Sequence, residues 1–403
     1  MTALRLVVLL VGIAVLVADA YSVLTVLIVP RAASSRLTYP MVLSRSLFRK
    51  ISQMSHTFAT QDRILALSEP VALITLLATW LLMAVLGFTL VSWGISTQTF
   101  ESAFSEAGSS VFTLGFAFAH GEGSKIVDFV AAGTGMILVA LQIAYLPTLY
   151  AAYNRRETLV TLLESRAGSP AWGPELLIRH QLVGTVDNLA GLFADWERWA
   201  ADVAESHSTY PSLLYLRSPR TKNSWIVSLM AVMDAAALLL AIDPEGAPIE
   251  GRMCIRMGFT CLRDIAQATR IPYDDDPLPD DPIQLPEAQF ADARTRLLAA
   301  GFTSSRSEAD AWAHFRGWRV NYESVGYAVA SKFNAPPAMW TGPRRLFRGE
   351  SIEPTRPVDR RPGGEAAGPG DIPRDHVPEP RPDLVREQAP GSPGPQDSDG
   401  PGS

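Results

Sequence analysis

Cysteine is nearly absent from this chain, with two in 403 residues, Cys254 and Cys261. They stand seven apart in an expected helix and form no CxxC. Neither a disulfide framework nor a zinc site is encoded, and two reduced, buried thiols are the reading. Histidine is scarce too, at six. His180, His207 and His314 stand apart from each other and from any ligand spacing, so they read as packing or surface positions rather than catalysts or metal ligands. There is no P-loop, and no GxGxxG follows a strand, so no phosphate cradle is legible. No basic patch interleaved with aromatics points to nucleic acid. Asp274, Asp275, Asp276, Asp280 and Asp281 lie among prolines without EF-hand spacing and read as a solvated acidic loop. No nucleophile–base pair or paired acid emerges. The expectation is a non-enzyme that needs no cofactor and no resident metal.

What the chain has in quantity is apolar sequence, 47% of its residues, unevenly placed. Residues 1–154 are strongly apolar, 155–348 resemble a soluble domain, and 349–403 are rich in proline and glycine. Crossing a hydrocarbon core of about 30 Å takes about 20 helical residues. Three runs meet that length: residues 6–29, 70–93 and 129–153. The first has signal-peptide traits, a basic start at Arg5 and the string Ala18-Asp19-Ala20. Its apolar stretch continues through Val29, however, and a retained span is expected. Asp19 lies inside it, and an acid at that depth is expensive; a packing role against a neighbouring helix is expected.

Charge bias gives the orientation. Between the first two spans lie Arg31, Arg36, Arg45, Arg49, Lys50 and Arg63, against Asp62 and Glu69 alone. Such a loop is retained in the cytoplasm. The N-terminus is then outside, the connection between the second and third spans is external, and everything after Arg155 is cytoplasmic. This is a multi-pass plasma-membrane arrangement.

The external connection carries the most specific signal. Residues 98–117 read QTFESAFSEAGSSVFTLGFA. Gln98 to Phe112 has the length and mixed polarity of a short helix, and it runs into Thr113-Leu114-Gly115-Phe116-Ala117. A re-entrant loop must hide its backbone polar groups or offer them to water and ions. Threonine supplies a hydroxyl beside its carbonyl, and glycine tolerates left-handed backbone angles. A short helix followed by Thr-apolar-Gly-aromatic between two spans resembles the pore loop of the potassium-channel superfamily. The turn from His120 to Lys125 resembles the segment leading into that family's inner helix. Gly133, Gly135 and Pro147 stand where the third span would bend to gate. The chain departs from the family pattern at Leu114, bulkier than valine, and at Ala117, which replaces the outer glycine; no acid comes directly after it.

The resemblance implies an all-α membrane protein. It would have three transmembrane helices, a re-entrant pore loop between the second and third, and a helical cytoplasmic domain. It implies a homotetramer in the lipid bilayer, passing monovalent cations, with potassium the expected ion. Thr113, Leu114, Gly115, Phe116 and Ala117 would be the conduction filter and Gly133, Gly135 and Pro147 the gating hinge. Phe116 is expected to pack behind the filter. The alternative is a non-conducting receptor or scaffold that retains the channel fold.

Residues 155–348 show helical periodicity. Helices are expected over 155–165, 174–206, 223–242, 251–268, 287–300 and 307–333. Trp196 and Trp199 read as core. Residues 210–219 read as an ordered, aromatic-rich loop. Trp225–Ile242 is apolar enough to be a fourth span, but its central Asp234 favours a buried core helix. From Glu353 onward, twelve prolines and eight glycines in 51 residues predict a disordered tail.

Overall fold

The computed structural model describes residues 3–27, 38–55, 57–118, 121–340 and Pro354. The expected disordered tail apart from Pro354, the last two residues of the first expected span, Arg31, Arg36 and His120 lie outside the described residues. Among the described residues all regular structure is helical.

Helix α1 (Ala3–Leu27) packs antiparallel on α4 (Ser68–Ile95). Arg5 at the start of α1 donates to the Ser96 carbonyl at the end of α4. The two backbones approach through glycines: a β-carbon at Gly12 would stand 2.9 Å from the Gly87 oxygen. Small residues at such a crossing let apolar helices gain dispersion contact that side chains would otherwise block. Asp19 is buried in this layer, with Oδ1 lacking a hydrogen-bond partner among the described residues, while nearby Ser22 accepts from Trp80 Nε1 at 3.1 Å.

Helices α2 (Tyr39–Gln53) and α3 (Phe58–Ala66) form a hairpin that leads into α4. Arg45 of α2 grips Glu69 of α4 with Nε at 2.8 Å and Nη2 at 2.7 Å. Helix α5 (Phe100–Val111) lies against both α4 and α6 (Glu122–Ala167). Four helical stretches are long and apolar enough to cross a membrane: Ala3–Leu27, Phe58–Ile95, Glu122–Ala167 and Trp225–Ile242.

Helix α6 differs from expectation. Instead of a span followed by a separate helix, 46 residues run unbroken through Gly133, Gly135 and Pro147. At 1.5 Å per residue this is about 70 Å. Its far end is part of the second bundle.

That bundle contains α7 (Gly173–Leu182), α8 (Leu189–Thr209), α9 (Trp225–Ile242), α10 (Ile249–Ala268), α11 (Glu287–Ala299), α12 (Glu308–Arg319) and α13 (Glu323–Lys332). Two expected helices are each divided in two. The first breaks after Leu182, where Gly184 takes φ 66° and Thr185 N donates back to the His180 carbonyl at 2.8 Å, a left-handed cap that glycine makes cheap. The second breaks between Arg319 and Glu323, where the turn delivers Tyr322 to the core.

Helix α9 is the hub, and each of its 18 residues is buried. Its apolar surface is consumed by the surrounding helices. Asp234 is paired: Arg319 donates to its carboxylate, and Tyr322 Oη donates to Oδ1 at 2.7 Å. Arg319 also donates to Glu323 at 2.9 Å and to Tyr327 Oη at 2.9 Å. Cys254 and Cys261 are free and buried, and Trp196 and Trp199 are buried beside each other.

The two bundles are joined at residues 210–217. Arg156 of α6 is fully buried and donates to the Leu213 carbonyl at 2.7 Å, the Leu216 carbonyl at 2.7 Å, Glu157 at 2.8 Å and His207 Nε2 at 3.0 Å. Tyr153 Oη donates to the Arg217 carbonyl at 3.0 Å, and the Arg217 side chain reaches Asp62 of α3.

Candidate functional site

The site is built on α5. Thr99 caps its start, accepting from Ser102 N at 3.3 Å. A β-region cap of this kind satisfies a backbone donor that the first turn leaves open. At the other end, Thr113 N donates to the Ser110 carbonyl at 3.0 Å and Leu114 N to the Ser109 carbonyl at 2.7 Å. This pair of bonds is a Schellman cap with Thr113 at its left-handed position. Thr113 indeed has φ 55°. Glycine is the cheap residue there. A β-branched residue at positive φ is a backbone outlier costing about 1–3 kcal/mol.

Two residues on, Gly115 takes φ 71°. Left-handed backbone therefore alternates along 113–115. Ala117 is not among the residues of positive φ, so its methyl costs nothing and the alternation ends before it.

Ser109 organises the turn beyond this cap. Its hydroxyl accepts from Phe116 N at 3.0 Å and from Ala117 N at 3.1 Å. In a trans peptide the N–H and the preceding C=O point in opposite directions. Three amides are directed at Ser109: Leu114 to its carbonyl, Phe116 and Ala117 to its hydroxyl. The carbonyls of Thr113, Gly115 and Phe116 are accordingly turned away from Ser109. Consecutive carbonyls on one side of a strand are unusual, because an ordinary strand alternates them. Ser109 itself is buried, as are Ala107 and Val111 beside it. Glu106 is buried too.

Two links fix this loop to α6. Ser110 Oγ donates to Asp128 Oδ1 at 2.9 Å. Gly135 lies against the last turn of α5: a β-carbon there would stand 2.9 Å from the Val111 carbonyl carbon and closer still to its oxygen. Gly133 has open space around it. Of the three residues expected to form a hinge, Gly135 is thus a contact between helices in this conformation. Pro147 sits within the continuous helix.

The side chains of the loop face outward. Leu114 and Phe116 are each 64% exposed and Phe118 is 77% exposed. Phe116 does not pack behind the loop within one chain, contrary to expectation. Five expected filter residues are therefore together in one short turn, with their backbone ordered from behind and their apolar side chains uncovered. Sequence reasoning missed Ser109; its spacing before Thr113 places it in the final turn of the helix, which is the only signal it gives.

Among the described residues no group of His, Cys, Asp or Glu has the arrangement to hold a metal ion. Comparison with protein-family models, with curated proteins and with solved structures finds no match to this chain.

Proposed function

We propose that the chain is a potassium-channel-like cation channel that conducts passively as a homotetramer in the plasma membrane. In this reading α1, α4 and α6 cross the bilayer, with the N-terminus outside and the α7–α13 bundle in the cytoplasm. Residues 98–117 re-enter the membrane from outside. Backbone carbonyls of Thr113 to Ala117 from four copies line the path and replace the hydration shell of a monovalent cation. A single such loop lines one side of a path, and closed rotational symmetry supplies the rest. The observation that carries the reading is the left-handed pair Thr113 and Gly115 with the amides of Phe116 and Ala117 gathered on Ser109 Oγ. The outward Leu114, Phe116 and Phe118 side chains then find cover against neighbouring copies. Gly133 and Pro147 are where α6 would bend, with Gly135 held against α5.

A non-conducting receptor that keeps the fold is the second reading. Ala117 favours it, because the left-handed alternation stops one residue short of an outer carbonyl ring. Flux decides between them. Purified full-length protein in liposomes with a potassium gradient is expected to carry potassium or rubidium. Ser109→Ala, which removes the acceptor for two amides, is expected to reduce flux or potassium-over-sodium preference while leaving helix content unchanged. No cation flux under any condition tried, with the protein inserted and folded, refutes conduction.

A further inference from the structure

Helix α2 has two faces. Met41, Arg45, Phe48 and Ser52 turn inward against α3 and α4, and Arg45 is locked to Glu69. The opposite face repeats apolar residues every turn: Tyr39, Leu43, Leu47 and Ile51, continued by Met54, are all exposed. Leu43 is 58% exposed and Leu47 55%. A soluble surface does not carry such a row without a partner. There is no Asp or Glu anywhere in α2, while Arg49 and Lys50 are exposed and in no ion pair among the described residues. Lys50 falls inside the apolar arc, where a long stem can lie on apolar surface and lift its charge to a polar layer.

The level of these residues follows from the Arg45–Glu69 pair. Glu69 immediately precedes Pro70, where the apolar run of α4 begins, and that run exposes Val71 and Ile74. Helix α2 runs antiparallel to α3 and α4, with Met41 in the cluster of Leu73 and Leu76, Arg45 at Glu69 and the end of α2 beside α3. At 1.5 Å per residue, Arg49 and Lys50 lie about 6–8 Å beyond Glu69. The headgroup layer on each side of a bilayer is about 5–8 Å thick. Tyr39 and Leu43 are then level with the end of the hydrocarbon, and the two cations are level with the phosphates.

We propose that the exposed face of α2 is a binding ridge for anionic phospholipid of the cytoplasmic leaflet, with acyl chain along Tyr39, Leu43 and Leu47 and the headgroup phosphate on Arg49 and Lys50. This rests on the reading that α4 crosses the bilayer. Each cation near an anionic surface contributes about fivefold in affinity.

The test uses the full chain with one added cysteine carrying an environment-sensitive fluorophore, because Cys254 and Cys261 are buried and stay unlabelled. Labels go at Leu43→Cys and Leu47→Cys, with Ile74→Cys as the bilayer reference and Asp195→Cys as the aqueous one. The protein is reconstituted in phosphatidylcholine vesicles containing brominated phosphatidylglycerol or, in parallel, the same fraction of brominated phosphatidylcholine. Labels at 43 and 47 are expected to be quenched several-fold more by the brominated phosphatidylglycerol, and Arg49→Gln with Lys50→Gln is expected to remove that preference. Quenching at 74 without quenching at 43 and 47 overturns the proposal, as it would if a second copy of the chain covered the ridge. Equal quenching by the two lipids, or a preference that survives the double substitution, also overturns it. Absence of quenching at 74 as well refutes the membrane crossing on which the proposal rests.

Discussion

Gly133 and Gly135 are two residues apart on one helix, and the structure assigns them opposite responses to the same change. At Gly135 an alanine methyl would stand 2.9 Å from the carbonyl carbon and 3.2 Å from the α-carbon of Val111. Carbon atoms rest at about 3.5–4.0 Å. Both obstacles are backbone, so no rotamer change relieves them and α5 must move away from α6. Overpacking of this kind costs about 1–3 kcal/mol. At Gly133 nothing lies within 4 Å of the added carbon. Each substitution also gains helix propensity of about 0.5–1 kcal/mol, since glycine in a helix interior is worse than alanine. That gain cancels in the comparison, so Gly135→Ala is expected to be about 1–3 kcal/mol less stable than Gly133→Ala. Thermal unfolding of both variants in one detergent, tracked by far-UV circular dichroism, measures the difference. Liposome flux supplies a second readout, because Val111 lies two residues before Thr113 and its displacement moves the loop. If the two variants melt together and conduct alike, Gly135 is not a close contact, and the argument from its distance to Val111 is wrong. A pure hinge role would also make the two alike, since alanine stiffens the helix at either position.

Two further predictions concern the second bundle. His207 is buried against Arg156, and burial together with that neighbouring guanidinium holds its imidazole well below the ordinary histidine range. The unfolded chain then binds the proton more readily than the folded one below about pH 6.5. Stability is accordingly expected to be unaffected above that pH and to fall as pH is lowered through the interval down to the folded-state value. Thermal melts between pH 7.5 and 5.5 check this, and a His207→Gln variant with an undiminished pH slope would assign the loss elsewhere. For the buried pair of α9 and α12, Asp234→Ala leaves the Arg319 charge without its main partner and is expected to cost about 3–5 kcal/mol. Asp234→Leu combined with Arg319→Met and Glu323→Gln, which removes the buried carboxylate that Arg319 also pairs, is expected to recover part of that in the same unfolding assay, and a triple variant as unstable as the single one counts against the pairing account.

The helical class, the three long apolar runs and the short helix before Thr113 were all legible, because each depends on local periodicity and length. Residue-to-residue organisation was not. Arg155 and Arg156 look alike as an inner charged flank, yet Arg156 is fully buried on two carbonyls, Glu157 and His207, whereas Arg155 makes an exposed pair with Asp202. Nothing in a dipeptide reveals which of two adjacent cations turns inward; apart from Glu157, the partners of Arg156 come from 51 to 60 residues away. The division of 307–333 was hidden for the same reason, since the turn exists to bring Arg319 and Tyr322 onto Asp234, a contact across more than 80 residues. Asp234 itself was read as too costly for lipid, and its burial by partners is the physical counterpart of that reading. In the loop, glycine at 115 was expected to carry left-handed backbone and does. Left-handed Thr113 was not foreseeable, because threonine disfavours that region and only the Schellman bonds to Ser109 and Ser110 hold it there.

The join between the bundles constrains any gate. In the channel reading, opening means moving the inner part of α6 relative to α4. Both helices, however, are tied to the same eight residues, 210–217. From α6 come Arg156 to the Leu213 and Leu216 carbonyls and Tyr153 to the Arg217 carbonyl. From the α2–α4 side come Arg45 to Ser212 Oγ at 3.3 Å, with its guanidinium 4.0 Å above the Tyr215 ring, and Asp62 to Arg217. Arg217 in turn donates to the Phe333 and Asn334 carbonyls at 2.9 Å, just past α13. A bend at Pro147 acts above this clamp and can leave it intact, whereas a shift of α6 as a rigid rod must break the Arg156 bonds. Breaking them exposes a buried guanidinium to unpaired carbonyls, at about 1–3 kcal/mol for each lost partner. The lower-energy path therefore keeps 210–217 attached to both sides and bends α6 at Pro147, with the second bundle moving the base of α6 and the α2–α3 hairpin as one body.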